Sequence, residues 1–101
     1  MASRKEYVDF ILEQLPTEVT CRPMMGEYVL YYQGHVFGGV YDDRFLVKPV
    51  PAAEKLLSGA SREPPYPGSK EMLLVENLED RAFLASLLEA MLPELPPPKR
   101  R

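Results

Sequence analysis

The fold is decided by residues 27–48, which read EYVLYYQGHVFGGVYDDRFLVK. Aromatic and β-branched side chains dominate this stretch, and such residues favour strands. Two short polar breaks interrupt it, Gln33-Gly34 and Asp42-Asp43, and these residue types tolerate the left-handed backbone of a two-residue hairpin turn. We therefore predict an antiparallel β-meander with strands near Glu27–Tyr32, His35–Tyr41 and Arg44–Lys48.

The register of this meander follows from the two turns, because successive side chains of a strand point to opposite faces of a sheet. One face is then mainly apolar and β-branched, and we predict that helices cover it: Val29, Tyr31, Val36, Val40, Phe45 and Val47. The other face mixes aromatic and polar side chains: Tyr28, Leu30, Tyr32, His35, Phe37, Tyr41, Arg44, Leu46 and Lys48.

Helical patterns flank the meander on both sides. Apolar residues recur at helical spacing from Val8 to Leu15 and from Leu84 to Met91. We predict Ser3 and Glu6 as a capping box for the first helix and Asn77 as the cap of the last. A short helix over residues 51–58, a loop over Ser61–Ser69, and strands at Val19–Met24 and Met72–Val75 complete an α+β fold in the order helix–strands–helix–strand–helix.

Length and composition indicate one domain. The chain has 101 residues, of which 46% are hydrophobic and 27% charged, and it carries a single cysteine. We assign residues 1–95 to the domain and residues 96–101 to a disordered proline-rich, basic tail. The sequence contains no apolar run long enough for a membrane span and starts with a charged segment, so we expect a cytoplasmic protein. A net charge of −3 makes direct nucleic-acid binding an unfavourable hypothesis.

The side chains that could support catalysis are few. His35 is the single histidine, and we interpret it as a solvent-facing turn residue. Cys21 follows Thr20 on a predicted strand, where a free thiol usually packs as a small apolar group. The pair Asp42-Asp43 is explained by its turn, and the spacing of a calcium loop is absent. We therefore predict no catalytic residue, no cofactor and no metal site.

Two candidate sites emerge from the meander. The mixed face offers an interaction surface for a protein partner or a second copy of the chain, formed by Tyr28, Leu30, Tyr32, Phe37 and Leu46. The alternative is that the Ser61–Ser69 loop and the tail cover that face. A candidate polar site combines Arg22, Glu27 and Lys48, whose charges could hold a small ligand.

Several motifs together resemble one known family. They are RPMMGEY at residues 22–28, YYQG at 31–34, GGVYDDRFLVK at 38–48, PYPG at 65–68 and KEMLLV at 70–75. In this order they resemble the N-terminal domain of the TfoX/Sxy competence-regulator family, as found in its stand-alone single-domain members. The family pattern over residues 22–28 is roughly Arg-Arg-Met-Phe-Gly-Gly-Tyr, and this chain departs from it at Pro23, Met25 and Glu27.

The resemblance implies an α+β fold similar to secretion-chaperone-like domains, with helices packed on one face of an antiparallel sheet. It also implies a role in regulating the transcription of DNA-uptake genes through a partner protein, and it supplies no catalytic residues. We therefore expect a non-enzymatic regulatory or protein-interaction module. The alternative is a small-ligand-binding domain or enzyme that uses a pocket near Arg22, Glu27 and Lys48.

Overall fold

The computed structural model describes residues 4–24 and 26–97, in which three α-helices and a six-stranded antiparallel sheet form the predicted α+β fold. The strands are adjacent in the order β1-β2-β3-β4-β6-β5. The two-residue strand β5 lies in the stretch that was predicted to be entirely loop. In chain order the elements are α1 (Lys5–Gln14), β1 (Val19–Met24), β2 (Glu27–Tyr32), β3 (His35–Val40), β4 (Phe45–Val47), α2 (Pro51–Leu56), β5 (Arg62–Glu63), β6 (Met72–Leu74) and α3 (Arg81–Met91), with a short 3-10 helix at Leu92–Glu94.

Both predicted hairpin turns are confirmed. Gln33 and Gly34 have φ angles of 51° and 85°, and Asp42 and Asp43 have φ angles of 54° and 57°. Positive φ at both central residues is the signature of a type I′ turn, whose twist matches the twist of the flanking strands. Tyr32 therefore lies opposite His35, as predicted.

A β-bulge at Phe37 corrects the predicted register. Tyr31 pairs with Val36, but the next residue of β2, Leu30, pairs with Gly38, so Phe37 is an extra residue in β3. One inserted residue exchanges the two faces for everything beyond it. The prediction that one face holds Val29, Tyr31, Val36, Val40, Phe45 and Val47 is therefore wrong for its first three members.

The helices cover the face that carries Leu30, Tyr32, Phe37, Val40, Phe45 and Val47, and all six side chains belong to the hydrophobic core. Phe37 and Phe45 meet edge to face, with ring centroids 6.3 Å apart and planes at 80°. The helices complete the core through the predicted stripes, including Val8 and Ile11 of α1. From α3 the core receives Leu84, Leu87, Leu88 and Met91.

The ends of the helices differ from the predicted caps. Ser3 lies outside the described residues, and the N-cap of α1 is Arg4, which makes no side-chain capping bond. The N-cap of α3 is Asp80 rather than Asn77, and its carboxylate accepts a hydrogen bond from the backbone N–H of Phe83 at 3.0 Å. Aspartate is as good a cap as asparagine, so composition alone did not distinguish the two positions.

The free edge of the sheet at β1 presents few hydrogen-bond donors. The N–H of Gln33 bonds to the carbonyl of Glu18, which fixes the hydrogen-bond pattern between β1 and β2. The backbone N–H and C=O groups of Thr20, Arg22 and Met24 therefore point toward β2, while the backbone polar groups of Cys21 and Pro23 point away from it. Pro23 has no N–H, and the N–H of Val19 is bonded to the carbonyl of Pro16 at 3.0 Å. The edge is therefore a poor template for an added strand.

Candidate functional site

Within residues 4–24 and 26–97, all three helices pack on the same face of the sheet, and we call the opposite side the outer face. Val29 and Leu46 lie on it and are buried, yet neither is part of the core cluster. The neighbouring side chains Tyr31, Val36, Tyr41, Met72 and Leu74 are half-buried, while Arg22 and Met24 of the edge strand are exposed. The outer face is thus an apolar surface with aromatic members and only partial cover.

Arg44 fixes the loop that provides this cover. Its Nη1 lies 2.6 Å from Oε1 of Glu63, its Nη2 donates to the carbonyl of Pro65 at 3.3 Å, and its Nε donates to the carbonyl of Tyr41 at 3.1 Å. One guanidinium thereby joins the β3–β4 turn, β5 and the loop after β5. Both partners of the ion pair are largely shielded, with side-chain exposures of 26% and 33%.

The loop and the β3–β4 turn enclose an open groove of about 520 Å³. Its polar side chains are three carboxylates and one guanidinium, and its other wall is a run of prolines around Tyr66, whose exposed fraction is 60%. This proline and tyrosine wall is the most exposed aromatic feature in the described part of the chain. The lining residues are Glu27, Asp42, Arg44, Glu63, Pro64, Pro65, Tyr66 and Pro67.

The turn at the end of the groove is held from both sides of the sheet. On the outer side, Oε1 of Glu27 accepts a hydrogen bond from the backbone N–H of Asp42 at 3.0 Å. On the helical side, Asp43 accepts a hydrogen bond from the backbone N–H of Arg4 at 2.9 Å and forms an ion pair with the Arg4 side chain at 3.1 Å. The two adjacent aspartates therefore have different tasks: Asp43 anchors α1, and Asp42 projects into the groove.

Tyr41 packs beside the groove on the outer face. A side chain at Gly39 would meet its ring at 2.6 Å, so glycine is what allows the ring to lie flat over the sheet. Burial is the main cause that raises the pKa of the Tyr41 phenol, and the neighbouring Tyr66, Glu27 and Tyr31 raise it further. The phenol of Tyr41 therefore stays neutral to a higher pH than an exposed tyrosine does.

The interaction surface that the sequence predicted is not a surface. Leu30, Tyr32 and Phe37 have exposed fractions of 0%, 4% and 0% and belong to the core, because the bulge turns them toward the helices. Tyr28 is half-buried and packs against the same core. Leu46 does lie on the outer face but is fully buried. The alternative was that the Ser61–Ser69 loop and the tail cover this surface. The loop does cover part of the outer face, where Arg44 is bonded to Pro65.

The structure does not bring the predicted polar site together. Glu27 lines the groove, but Arg22 and Lys48 are not among its lining residues. Lys48 follows β4, and its N–H bonds to the carbonyl of Phe37 at 2.8 Å, whereas Glu27 lies level with Tyr41. Four residues of strand separate Phe37 from Tyr41, about 13 Å at the usual rise.

His35 contacts the chain rather than a reaction partner. It is half-buried instead of facing solvent, and its Nδ1 donates a hydrogen bond to the carbonyl of Pro96 at 2.9 Å. Cys21 is a half-buried free thiol that packs against the core. Among residues 4–24 and 26–97, no group of three His, Cys, Asp or Glu side chains has the arrangement of a metal site.

Sequence reasoning missed the groove because Arg44 and Glu63 are 19 positions apart and carry no local pattern. One signal was available. The segment Pro64-Pro65-Tyr66-Pro67 places an aromatic ring among residues that cannot bury it in a helix or central strand.

Known proteins resemble most of this chain in sequence. Residues 11–86 match the family described as the TfoX N-terminal domain. The chain belongs to this family. It is also 32% identical over 104 residues to an uncharacterized 12.7 kDa protein in the trpE 5′ region of Spirochaeta aurantia, an alignment that covers 100% of this chain and 90% of the relative. No solved structure matches the chain significantly.

The match bears on the function only in part. The matched region covers most of the 101 residues, and the family is not a known enzyme family. The spirochaete relative has no described role that could be compared. Within the described residues, no helix is both long and apolar enough to cross a lipid bilayer.

Proposed function

We propose that this TfoX N-terminal protein is a non-enzymatic regulatory module that acts by binding a protein partner through the outer face of its sheet. The observation that carries the proposal is the asymmetry of the two faces. The helices α1 and α3 bury one face in the core, while the other keeps half-buried apolar side chains and the exposed ring of Tyr66. Partly covered apolar surfaces with tyrosines are typical of protein interfaces.

The chemistry of the side chains favours binding over catalysis. A general base needs a nucleophile and an orienting group within hydrogen-bond reach. His35 instead bonds to the backbone of Pro96. Arg44 and Glu63 neutralise each other and hold the loop, which is a structural use of both charges. A protein that binds a partner needs none of these groups to react.

The β1 edge of the sheet is less suited to binding a partner than the outer face is. A partner strand that paired with β1 would find no N–H at Pro23 and an occupied N–H at Val19. Side-chain contacts across the outer face are therefore the more favourable way to bind.

Glu27 in the groove supports a second candidate, the binding of a small cationic ligand. The groove is large enough for a few side-chain-sized groups and carries more carboxylates than cations. This alternative retains Glu27 from the predicted polar site and omits Arg22 and Lys48.

Site-specific crosslinking tests the proposal. A photoreactive residue replaces Tyr66 on the outer face in the native host, and a matched protein carries it at Glu89, an exposed position on α3. We expect one protein to be captured from position 66 and not from position 89, and an excess of unlabelled protein to suppress the product. Equal capture from both positions, or none from position 66, contradicts the proposal.

A further inference from the structure

We propose that the groove binds the segment 96–101, PPPKRR, of a second copy of this chain through the residues that follow Pro96, so that copies associate head to tail. This inference rests on the proposed function, because it names the occupant of one part of the outer face.

The charges of the groove and the segment are complementary. Glu27, Asp42 and Glu63 contribute three negative charges and Arg44 one positive charge, which gives a net charge of −2. Because Arg44 is paired with Glu63 at 2.6 Å, the formal excess of negative charge lies on Glu27, which accepts a hydrogen bond from the N–H of Asp42, and on the exposed Asp42. The segment carries Lys99, Arg100 and Arg101 in sequence, a formal charge of +3. Opposite charges of this kind steer association and fix its register.

The wall of the groove suits a proline-rich segment. Pro64, Pro65 and Pro67 surround the exposed ring of Tyr66, and the polyproline II conformation docks readily on surfaces of aromatic side chains. Leu95 already has φ −82° and ψ 152°, close to that conformation, immediately before the three prolines of the segment. The ring of Tyr66 can also stack with a guanidinium or an ammonium group.

The segment cannot reach the groove of its own chain. Its carbonyl at Pro96 is bonded to His35, on the helical side of the sheet and at the opposite end of β3 from Asp42. Seven residues separate His35 from Asp42, about 20 Å of strand. Five residues beyond Pro96 the backbone has extended by at most about 18 Å, and part of that length is needed to pass round the sheet, so the backbone of the basic residues cannot lie along the groove of its own chain. The contact therefore requires a second copy.

Such a contact joins two different surfaces, the segment of one copy and the groove of the next. It has a distinctive consequence, because a copy that lacks a working segment and a copy that lacks a working groove can still form one contact with each other. Each variant associates with itself only through a weakened contact. This complementation distinguishes the proposal from a symmetric dimer and from non-specific attraction.

Sedimentation analysis of the full chain tests the proposal over a concentration series to the millimolar range. The segment variant carries Lys99→Gln, Arg100→Gln and Arg101→Gln. The groove variant carries Asp42→Asn, which keeps a residue that tolerates the positive φ, and Tyr66→Ala. The control is Glu89→Gln, which removes an exposed charge from α3. Circular dichroism verifies that each variant is folded.

We expect the native chain to associate weakly, the control to match it, and each variant to associate about tenfold more weakly, as expected for the loss of several exposed charge contacts. An equimolar mixture of the two variants should recover a 1:1 complex that dissociates at high salt. A monomeric native chain, or a mixture that stays monomeric, overturns the proposal. Either result leaves the crosslink from position 66 to another protein as a separate test of the proposed function.

Discussion

The Nη1 atom of Arg44 lies 2.6 Å from Oε1 of Glu63 and connects the central meander to β5, an edge strand of the sheet. The same guanidinium donates to the carbonyls of Tyr41 and Pro65. Because all three contacts converge on one side chain, Arg44 determines where the proline loop lies and therefore whether the groove exists.

The first prediction concerns this ion pair. In a double-mutant cycle of Arg44→Ala and Glu63→Ala, urea unfolding should give a coupling energy of about 1–2 kcal/mol, since the pair is partly buried and hydrogen-bonded. The exposed pair Arg62–Glu54 is the matched control, with side-chain exposures of 47% and 44%. Its coupling should stay below about 1 kcal/mol. Equal coupling in the two cycles would show that Arg44 does not hold the loop.

A second prediction concerns the close approach of strands at the bulge. A methyl group at Gly38 would collide with the backbone carbonyl of Leu46 and lie 2.8 Å from Cα of Val47. Gly68→Ala is the control, because that site has a φ of 87° but open space around it. We expect Gly38→Ala to lower the free energy of unfolding by at least about 2 kcal/mol more than Gly68→Ala does. Equal losses of unfolding free energy would show that β3 and β4 are farther apart at Gly38 than the structure shows.

The third prediction concerns alkaline pH. Burial raises the pKa of Tyr41 above 10.0, its ordinary value, so the unfolded chain releases this proton before the folded chain does. The contribution of Tyr41 to stability is therefore complete below about pH 10 and is lost as the pH rises through the higher folded value. The free energy of unfolding should fall less steeply above pH 10 in Tyr41→Phe than in the native chain. Identical slopes would mean that the Tyr41 hydroxyl is solvated.

The fourth prediction concerns the free edge of the sheet. Pro23→Thr restores an outward-facing N–H on β1 and should increase association through strand pairing, while changing the stability of the monomer little. Light scattering on heating measures this, with the exposed Pro49→Thr as the control for loss of a proline. If both variants remain as dispersed as the native chain, Pro23 does not protect the edge.

The helices, strands and turns could be predicted from the sequence because their signals are local. The φ angles of Gln33, Gly34, Asp42 and Asp43 follow from residue type, and the helical stripes follow from spacing. The faces of the sheet were assigned incorrectly because the bulge at Phe37 depends on packing. Alternation along β3 is compatible with both registers, and the one that buries Phe37 against Phe45 is adopted.

The groove could not be predicted for a related reason. Glu63, Pro65 and Tyr66 reach the outer face only through a bond to Arg44, and nothing local indicates that bond. Glu27 was a member of the predicted polar site, and in the structure it accepts a hydrogen bond from the backbone N–H of Asp42.

The corrected faces also change the expected effect of a charge at Leu30 or Phe37. Glutamate at either position would spare the fold only if the side chain lay on an exposed surface. Both side chains have an exposed fraction of 0%, so a charge at either site should unfold the protein.

The most direct measurement of the central claim, that the helices cover the Leu30 face and leave the Tyr31 face open for binding, compares Leu30→Ala with Tyr31→Ala by urea unfolding. Leu30→Ala should cost about 2–5 kcal/mol, because it leaves a cavity in the core. Tyr31→Ala removes a larger side chain from the partly covered face and should cost no more than about 1 kcal/mol. A greater loss from Tyr31→Ala than from Leu30→Ala would contradict the account.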